Sequence, residues 1–139
     1  MFQTLAYYSS VFHKEFVGYT SDKLQKLGIN FGSVFFLIYV GNHPGCTPSE
    51  LTKALQMDWG HSQRSVTKMV NEGFMTKDKC GRIYHLNLTE KGQQAFQVSH
   101  QVFFDWDKEK LKALTDAECR QLFELLQKAA MGKKDVKDV

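Results

Sequence analysis

Residues 60–74, GHSQRSVTKMVNEGF, decide how the chain is read. The stretch has the length and punctuation of a helix, with Asp58 as a candidate N-cap before it and Gly73 as its stop. Val66, Met69 and Val70 form a thin apolar strip on one side. The other side offers His61, Gln63, Arg64, Thr67, Lys68 and Asn71, all hydrogen-bonding and none acidic. A face that only needs to dissolve usually carries Glu–Lys pairs. These side chains instead suit the donors and acceptors that base edges present in a DNA major groove. Gln63 has both groups needed for adenine, Arg64 forks onto guanine, and His61 and Thr67 suit edges or phosphates. Lys68 and Asn71 lie further along and suit the backbone. Gly60, without a side chain, would let the helix start approach a duplex closely. For Trp59, packing beside a short turn is the expected role, with an indole N–H that could reach a phosphate. A merely solvated polar face is the bland alternative.

Upstream, Thr47-Pro48-Ser49-Glu50 starts another helix: Thr47 caps it, Pro48 fits the first turn, and Glu50 completes a capping box. Leu51, Ala54 and Leu55 form its inner face, and a turn of a few residues leads to Asp58. The pair is a helix–turn–helix candidate, and Ser49 could add a phosphate bond near the start of its supporting helix. Further upstream, Asn30 precedes FGSVFFLIYVGN, a short helix buried on most sides, which His43-Pro44-Gly45 stops. Before it, Leu5, Tyr8, Phe12, Phe16 and Tyr19 recur at helical spacing within roughly 2–27.

Downstream, the stretches from Phe74 to Lys77 and from Ile83 to Leu88 have strand character. The intervening Asp78-Lys79-Cys80-Gly81-Arg82 has turn chemistry, so a two-stranded hairpin is expected. Thr89 opens a long helix closing near Leu114, with Phe96, Ser99, Val102 or Phe103, and Trp106 on one face. Thr115 to Glu118 is a second capping box, followed by Leu122, Phe123, Leu125, Leu126 and Ala129. Residues 132–139 read as a mobile tail.

The charge pattern agrees with a DNA reader. Net charge is only +3. Residues 1–52 carry three basic and three acidic side chains, and 92–139 eight of each, so the seven against four in 53–91 hold the whole excess. The 42% hydrophobic and 24% charged fractions over 139 residues fit one globular domain. Three widely spaced cysteines, Cys46, Cys80 and Cys119, without a CxxC, argue for reduced thiols and a cytoplasmic location. The N-terminal residues lack a secretion signal pattern, and the apolar run 34–40 is too short to span a bilayer. No Gly-rich phosphate loop, Glu-x-x-His pair or nucleophile with a base suggests an enzyme, and no cofactor or metal is expected.

A helix–turn–helix followed directly by a small hairpin is a winged-helix arrangement, and here the chain resembles the MarR family of bacterial transcription regulators. The resemblance rests on HPGCTPSELTKAL (43–55), the 60–74 stretch, LNLTEKG (86–92) and LTDAECRQLFELL (114–126), and covers roughly 27 to 130. It implies a mainly α (α+β) fold, with residues 28–92 as the DNA-binding lobe and 1–27 and 93–131 as dimerisation helices. It implies a homodimer on an imperfect palindrome of double-stranded DNA, commonly a repressor released by a small aromatic or lipophilic effector. Carried over residue by residue, Arg82 is the wing-tip arginine of the minor groove, with Lys77 and Lys79 nearby on phosphates. Two departures stand out. The wing is shorter than usual, with Cys80 where an Asp often precedes the tip arginine. Ser62 and Ser65 replace aliphatic side chains on the inner face of the reading helix. The aromatic stripes at both ends, Phe12, Phe16, Phe103, Trp106, Leu122 and Phe123 among them, are either interface or intrachain core. Cys80, beside Lys79 and Arg82, is the thiol to consider for a redox response, against an ordinary surface cysteine. A winged-helix module that binds protein rather than DNA is the main rival.

Overall fold

Six helices and one hairpin follow one another in a computed structural model that describes residues 3–132. Thr4 caps α1 (Leu5–Gln25), its hydroxyl accepting the Tyr7 N–H at 3.2 Å. Of the expected α1 stripe, Leu5, Tyr8 and Phe12 are exposed, and Phe16 and Tyr19 are half-buried. Leu5 is 73% exposed, whereas Thr20 and Leu24 are buried, and the Thr20 hydroxyl donates to the Phe16 carbonyl at 2.7 Å. Asn30 caps α2 (Phe31–Asn42), the most buried helix, which supplies Val34, Phe36, Leu37, Tyr39 and Val40 to the core. Burying each of the larger ones contributes roughly 1.5–3 kcal/mol. Around α2 close Leu24, Leu51, Val66, Met69, Phe74, Met75, Leu86 and Ala95. At Gly41 a Cβ would sit 2.4 Å from the Phe96 ring, so the missing side chain sets how near that ring lies to α2.

The capping box at Thr47 and Glu50 forms as expected and opens α3 (Pro48–Ala54). Asp58 caps α4 (Trp59–Asn71), accepting the His61 N–H at 2.9 Å. The hairpin differs from its sequence-based expectation. Asp78, Lys79 and Cys80 are not turn residues: β1 (Met75–Cys80) pairs with β2 (Ile83–Leu88) from Met75↔Leu88 to Cys80↔Ile83. Only Gly81 and Arg82 form the turn. Positive φ at Gly81 alone (+66) suits a type II′ connection, which matches strand twist and lets the ladder run to the tip. The Pro44-Gly45 stop also has a second role. The Gly45 N–H donates to the Leu86 carbonyl at 2.8 Å and the Leu86 N–H to Cys46 at 2.7 Å, so this segment edges β2.

Thr89 caps α5 (Glu90–Lys110), which ends before Leu114 and gives way to a turn. Thr115 and Glu118 form the second capping box at α6 (Asp116–Met131). Among the described residues α6 buries none, and Phe123 and Leu125 are 48% and 56% exposed. The expected tail, after Gly132, and Phe2 lie outside the described residues. The result is a mainly α winged helix–turn–helix.

Candidate nucleic-acid interface

The two helices of the helix–turn–helix are joined by a polar pin rather than by aliphatic side chains alone. Ser62, fully buried, lies 2.6 Å from the Thr52 hydroxyl, which donates to the Pro48 carbonyl at 2.7 Å. A hydroxyl has one proton, so Ser62 is the donor in the shared bond. The serine that looked like a weakness of the inner face is therefore satisfied, and it fixes α4 against α3 beside Val66 and Met69. Val70 is only half-buried.

Opposite this pin, Gly60, Arg64, Thr67 and Asn71 recur at steps of three and four along α4, with His61 and Lys68 beside them. Of these, His61, Arg64, Thr67, Lys68 and Asn71 are exposed. A Cβ on Gly60 would meet Arg64 Nη1 at 3.3 Å and Asp58 Oδ2 at 3.4 Å, so the glycine leaves room for the guanidinium beside the N-cap. Lys68 reaches Glu72 at 4.0 Å, an exposed pair too weak to hold its ammonium from a phosphate. Gln63 does not join the outer face. It is half-buried, and its amide nitrogen is sealed from solvent without a hydrogen-bond partner among the described residues. A different rotamer is needed before it meets a base. Trp59 also departs from expectation, because it is 55% exposed at the first position of α4 rather than packed. Its place just after the short turn between α3 and α4 leaves the indole open to solvent.

Ser49 is exposed in the first turn of α3. On the wing, Lys77 and Lys79 flank the Tyr84 ring, with ammonium-to-centroid distances of 4.7 and 5.6 Å, and Arg82 stands exposed in the tip turn. The Tyr84 ring thus holds two cations side by side on one strand face.

The segment LNLTEKG fixes where the wing leaves α4. Gly73 ends that helix at φ +84, and Phe74 turns inward with its N–H on the Met69 carbonyl at 3.0 Å. The Thr89 hydroxyl donates to the Gly73 carbonyl at 2.6 Å while accepting the Gly92 N–H at 3.0 Å. Lys91 donates to the Glu72 carbonyl at 2.8 Å and lies 4.3 Å from the Phe74 ring centre. A cation at the negative end of α4 is favourable. A Cβ on Gly92 would be 1.8 Å from the Phe74 carbonyl oxygen, so only glycine allows this approach. One short motif therefore ties the outgoing end of α4 and the root of the wing to α5.

Cys46 is buried, and its thiol is pushed up to about 11, first by burial and then by Glu50, so it stays protonated at neutral pH. Cys80 is exposed at the end of β1, and Cys119 is half-buried on α6. Among the described residues no group of three His, Cys, Asp or Glu side chains could hold a metal ion, and no helix is long and apolar enough to cross a membrane.

No family model matches the chain. It is 40% identical over 136 residues to the HTH-type transcriptional regulator BilQ of Clostridium symbiosum (strain WAL-14163), spanning 96% of this chain and 94% of that protein. Among solved structures it is similar to the reduced form of MarR from E. coli, at 25% identity and a TM-score of 0.75, covering 93% of this chain and 98% of the other. A MarR family regulator from Listeria monocytogenes, solved with 26mer DNA, shares the fold at 20% identity and a TM-score of 0.84, over 94% and 89% of the two chains.

Proposed function

The chain belongs to the MarR family of winged-helix transcriptional regulators, and from that membership we propose that it is a cytoplasmic, homodimeric repressor that reads an imperfect DNA palindrome and lets go when a small lipophilic effector binds. It is a regulator and not an enzyme.

The observation that carries the DNA reading is the outer face of α4. His61, Arg64, Thr67, Lys68 and Asn71 are exposed together, with no acid between Gly60 and Asn71 and the polar pin behind them. Arg64 reads guanine, His61 and Thr67 meet edges or phosphates, and Gly60 permits the approach. Gln63 joins them after rotating outward. Trp59 lies against the sugar–phosphate backbone at the helix start. Ser49, Lys68, Lys77 and Lys79 hold phosphates, and Arg82 enters the adjoining minor groove. The tight tip turn keeps this wing short, so its reach is confined to Arg82 and its neighbours.

The dimer reading is supported by the uncovered apolar faces of α1 and α6. A helix of 16 residues that leaves Phe123, Leu125 and Leu126 exposed has a patch that monomers rarely carry. A second copy covers it, and the two α4 helices then fall about one helical turn apart on the duplex. The effector reading is supported by two apolar crevices bordering α2. One, of about 490 Å³, is lined by Phe31, Phe35, Leu55, Met57 and Met131. The other, of about 320 Å³, lies between α1, α2 and α5.

The test is binding to mixed genomic duplexes across a salt series, for the native chain, Arg64→Ala and Arg82→Ala. A DNA reader loses affinity steeply with salt, and Arg64→Ala costs about 1–3 kcal/mol of specific affinity. No binding at low salt would favour a winged helix that docks a protein.

A further inference from the structure

The second crevice has a chemistry that the fold does not explain. Phe12, Phe16, Phe35, Phe103 and Trp106 line it together with a single carboxylate, Asp107. The rings are held against one another: Phe16 lies 4.9 Å from Trp106 and 5.1 Å from Phe103, and Phe35 lies 5.5 Å from Phe103. Asp107 is half-buried in the last turn of α5, where the helix dipole disfavours negative charge. Burial raises its carboxyl above the ordinary range. Among the described residues its side chain has no hydrogen bond or ion pair, and Lys110, one turn further along α5, pairs with Glu15. His13, the other titratable group in the lining, makes an edge contact with Phe31 and none with Asp107. Asp107 thus costs stability through desolvation and through the dipole, with no compensating partner. Phe12 already takes an ammonium, that of Lys110, 5.4 Å from its centre.

We propose that this crevice binds a compact organic cation, an ammonium bearing an aromatic or short apolar group, with its charge against Asp107 and its body among Phe12, Phe16 and Trp106. The proposal rests on the effector reading above and names its ligand class. Ring faces attract a cation, and a half-buried carboxylate beside those rings gains by pairing with one. A neutral molecule of the same shape would gain the apolar contacts and leave Asp107 unpaired. An anion would be repelled. The volume suits a ligand of one ring, at the lower end of small-molecule sites.

The experiment is calorimetric titration of the full chain with phenyltrimethylammonium, its neutral isostere tert-butylbenzene, and benzoate, for the native protein and Asp107→Asn. The native chain should prefer the cation over the isostere by about tenfold or more. Asp107→Asn should abolish the preference while leaving the isostere's affinity unchanged. Its fold is checked by thermal melting, which should equal or exceed that of the native chain. Equal or tighter binding of tert-butylbenzene or benzoate, absence of binding by the cation, or an unchanged preference in Asp107→Asn would overturn the proposal. Operator release is read separately by anisotropy of labelled duplex. If the cation binds without releasing DNA, the effector reading fails and the site stands. If another lipophile releases DNA while the cation does not bind, the reverse holds.

Discussion

Removing the hydroxyls of Thr52 and Ser62 one at a time and together tests how α4 is held in place. In the native chain Ser62 donates to Thr52, and Thr52 donates to the Pro48 carbonyl, all of it shielded from water. Ser62→Ala deletes one bond but strands no donor, since Thr52 keeps its acceptor; the expected cost is about 1 kcal/mol. Thr52→Val keeps the shape but leaves the Ser62 proton facing an apolar methyl, so the cost rises to about 2 kcal/mol. Adding Ser62→Ala to Thr52→Val removes that stranded group. The double variant should therefore be no less stable than Thr52→Val alone, a coupling of about 1 kcal/mol. Urea unfolding followed by circular dichroism at one fixed protein concentration measures this. If Ser62→Ala costs the same in both backgrounds, the two hydroxyls are not bonded and the pin does not exist.

Gly92→Ala would place its Cβ against the Phe74 carbonyl oxygen, and its unfolding free energy should fall by about 3 kcal/mol in the same urea assay. Asp107→Asn should raise the melting temperature at pH 7. The folded-state pKa of Asp107 lies above its unfolded one, so the penalty on its charged form is present above the folded pKa. The gain should therefore disappear as pH falls through the carboxylate range, which melting at a series of pH values will show. Under native conditions a thiol reagent should label exposed Cys80 at once and leave buried Cys46 unlabelled until urea unfolds the chain; mass spectrometry of the digested protein reads both. With Trp106→Phe leaving Trp59 as the sole indole, adding duplex should quench fluorescence at low salt and not in high salt.

Local chemistry was the legible part of this chain. Thr47 with Glu50, Thr115 with Glu118, Asn30, Asp58 and Thr89 each announce a helix start through side chains acting within three residues, and each does so in the structure. The order of elements follows from those starts and from Gly73. What stayed hidden depends on contacts between distant residues or on a backbone angle. Ser62 reads as a poor core residue until Thr52, ten positions away, is found beside it. The length of β1 hinged on how few residues Gly81 needs to reverse the chain. Gln63 and Trp59 differ from expectation in burial because helical spacing fixes which way a Cα faces, not which rotamer or neighbour follows. The aromatic residues at the two chain ends were ambiguous between core and interface. Phe16, Phe103 and Trp106 pack on one another within the chain, while Phe123 on α6 stays open.

What α4 recognises is tested most directly by selecting bound duplexes from a randomised pool, with the native chain and with Arg64→Ala in parallel. The native protein should enrich a two-fold symmetric sequence, and Arg64→Ala should lose the preference for guanine at one position in each half-site while keeping the symmetry. Enrichment of the same sequence by both proteins, or of none by the native chain, would contradict the assignment of that helix to the major groove.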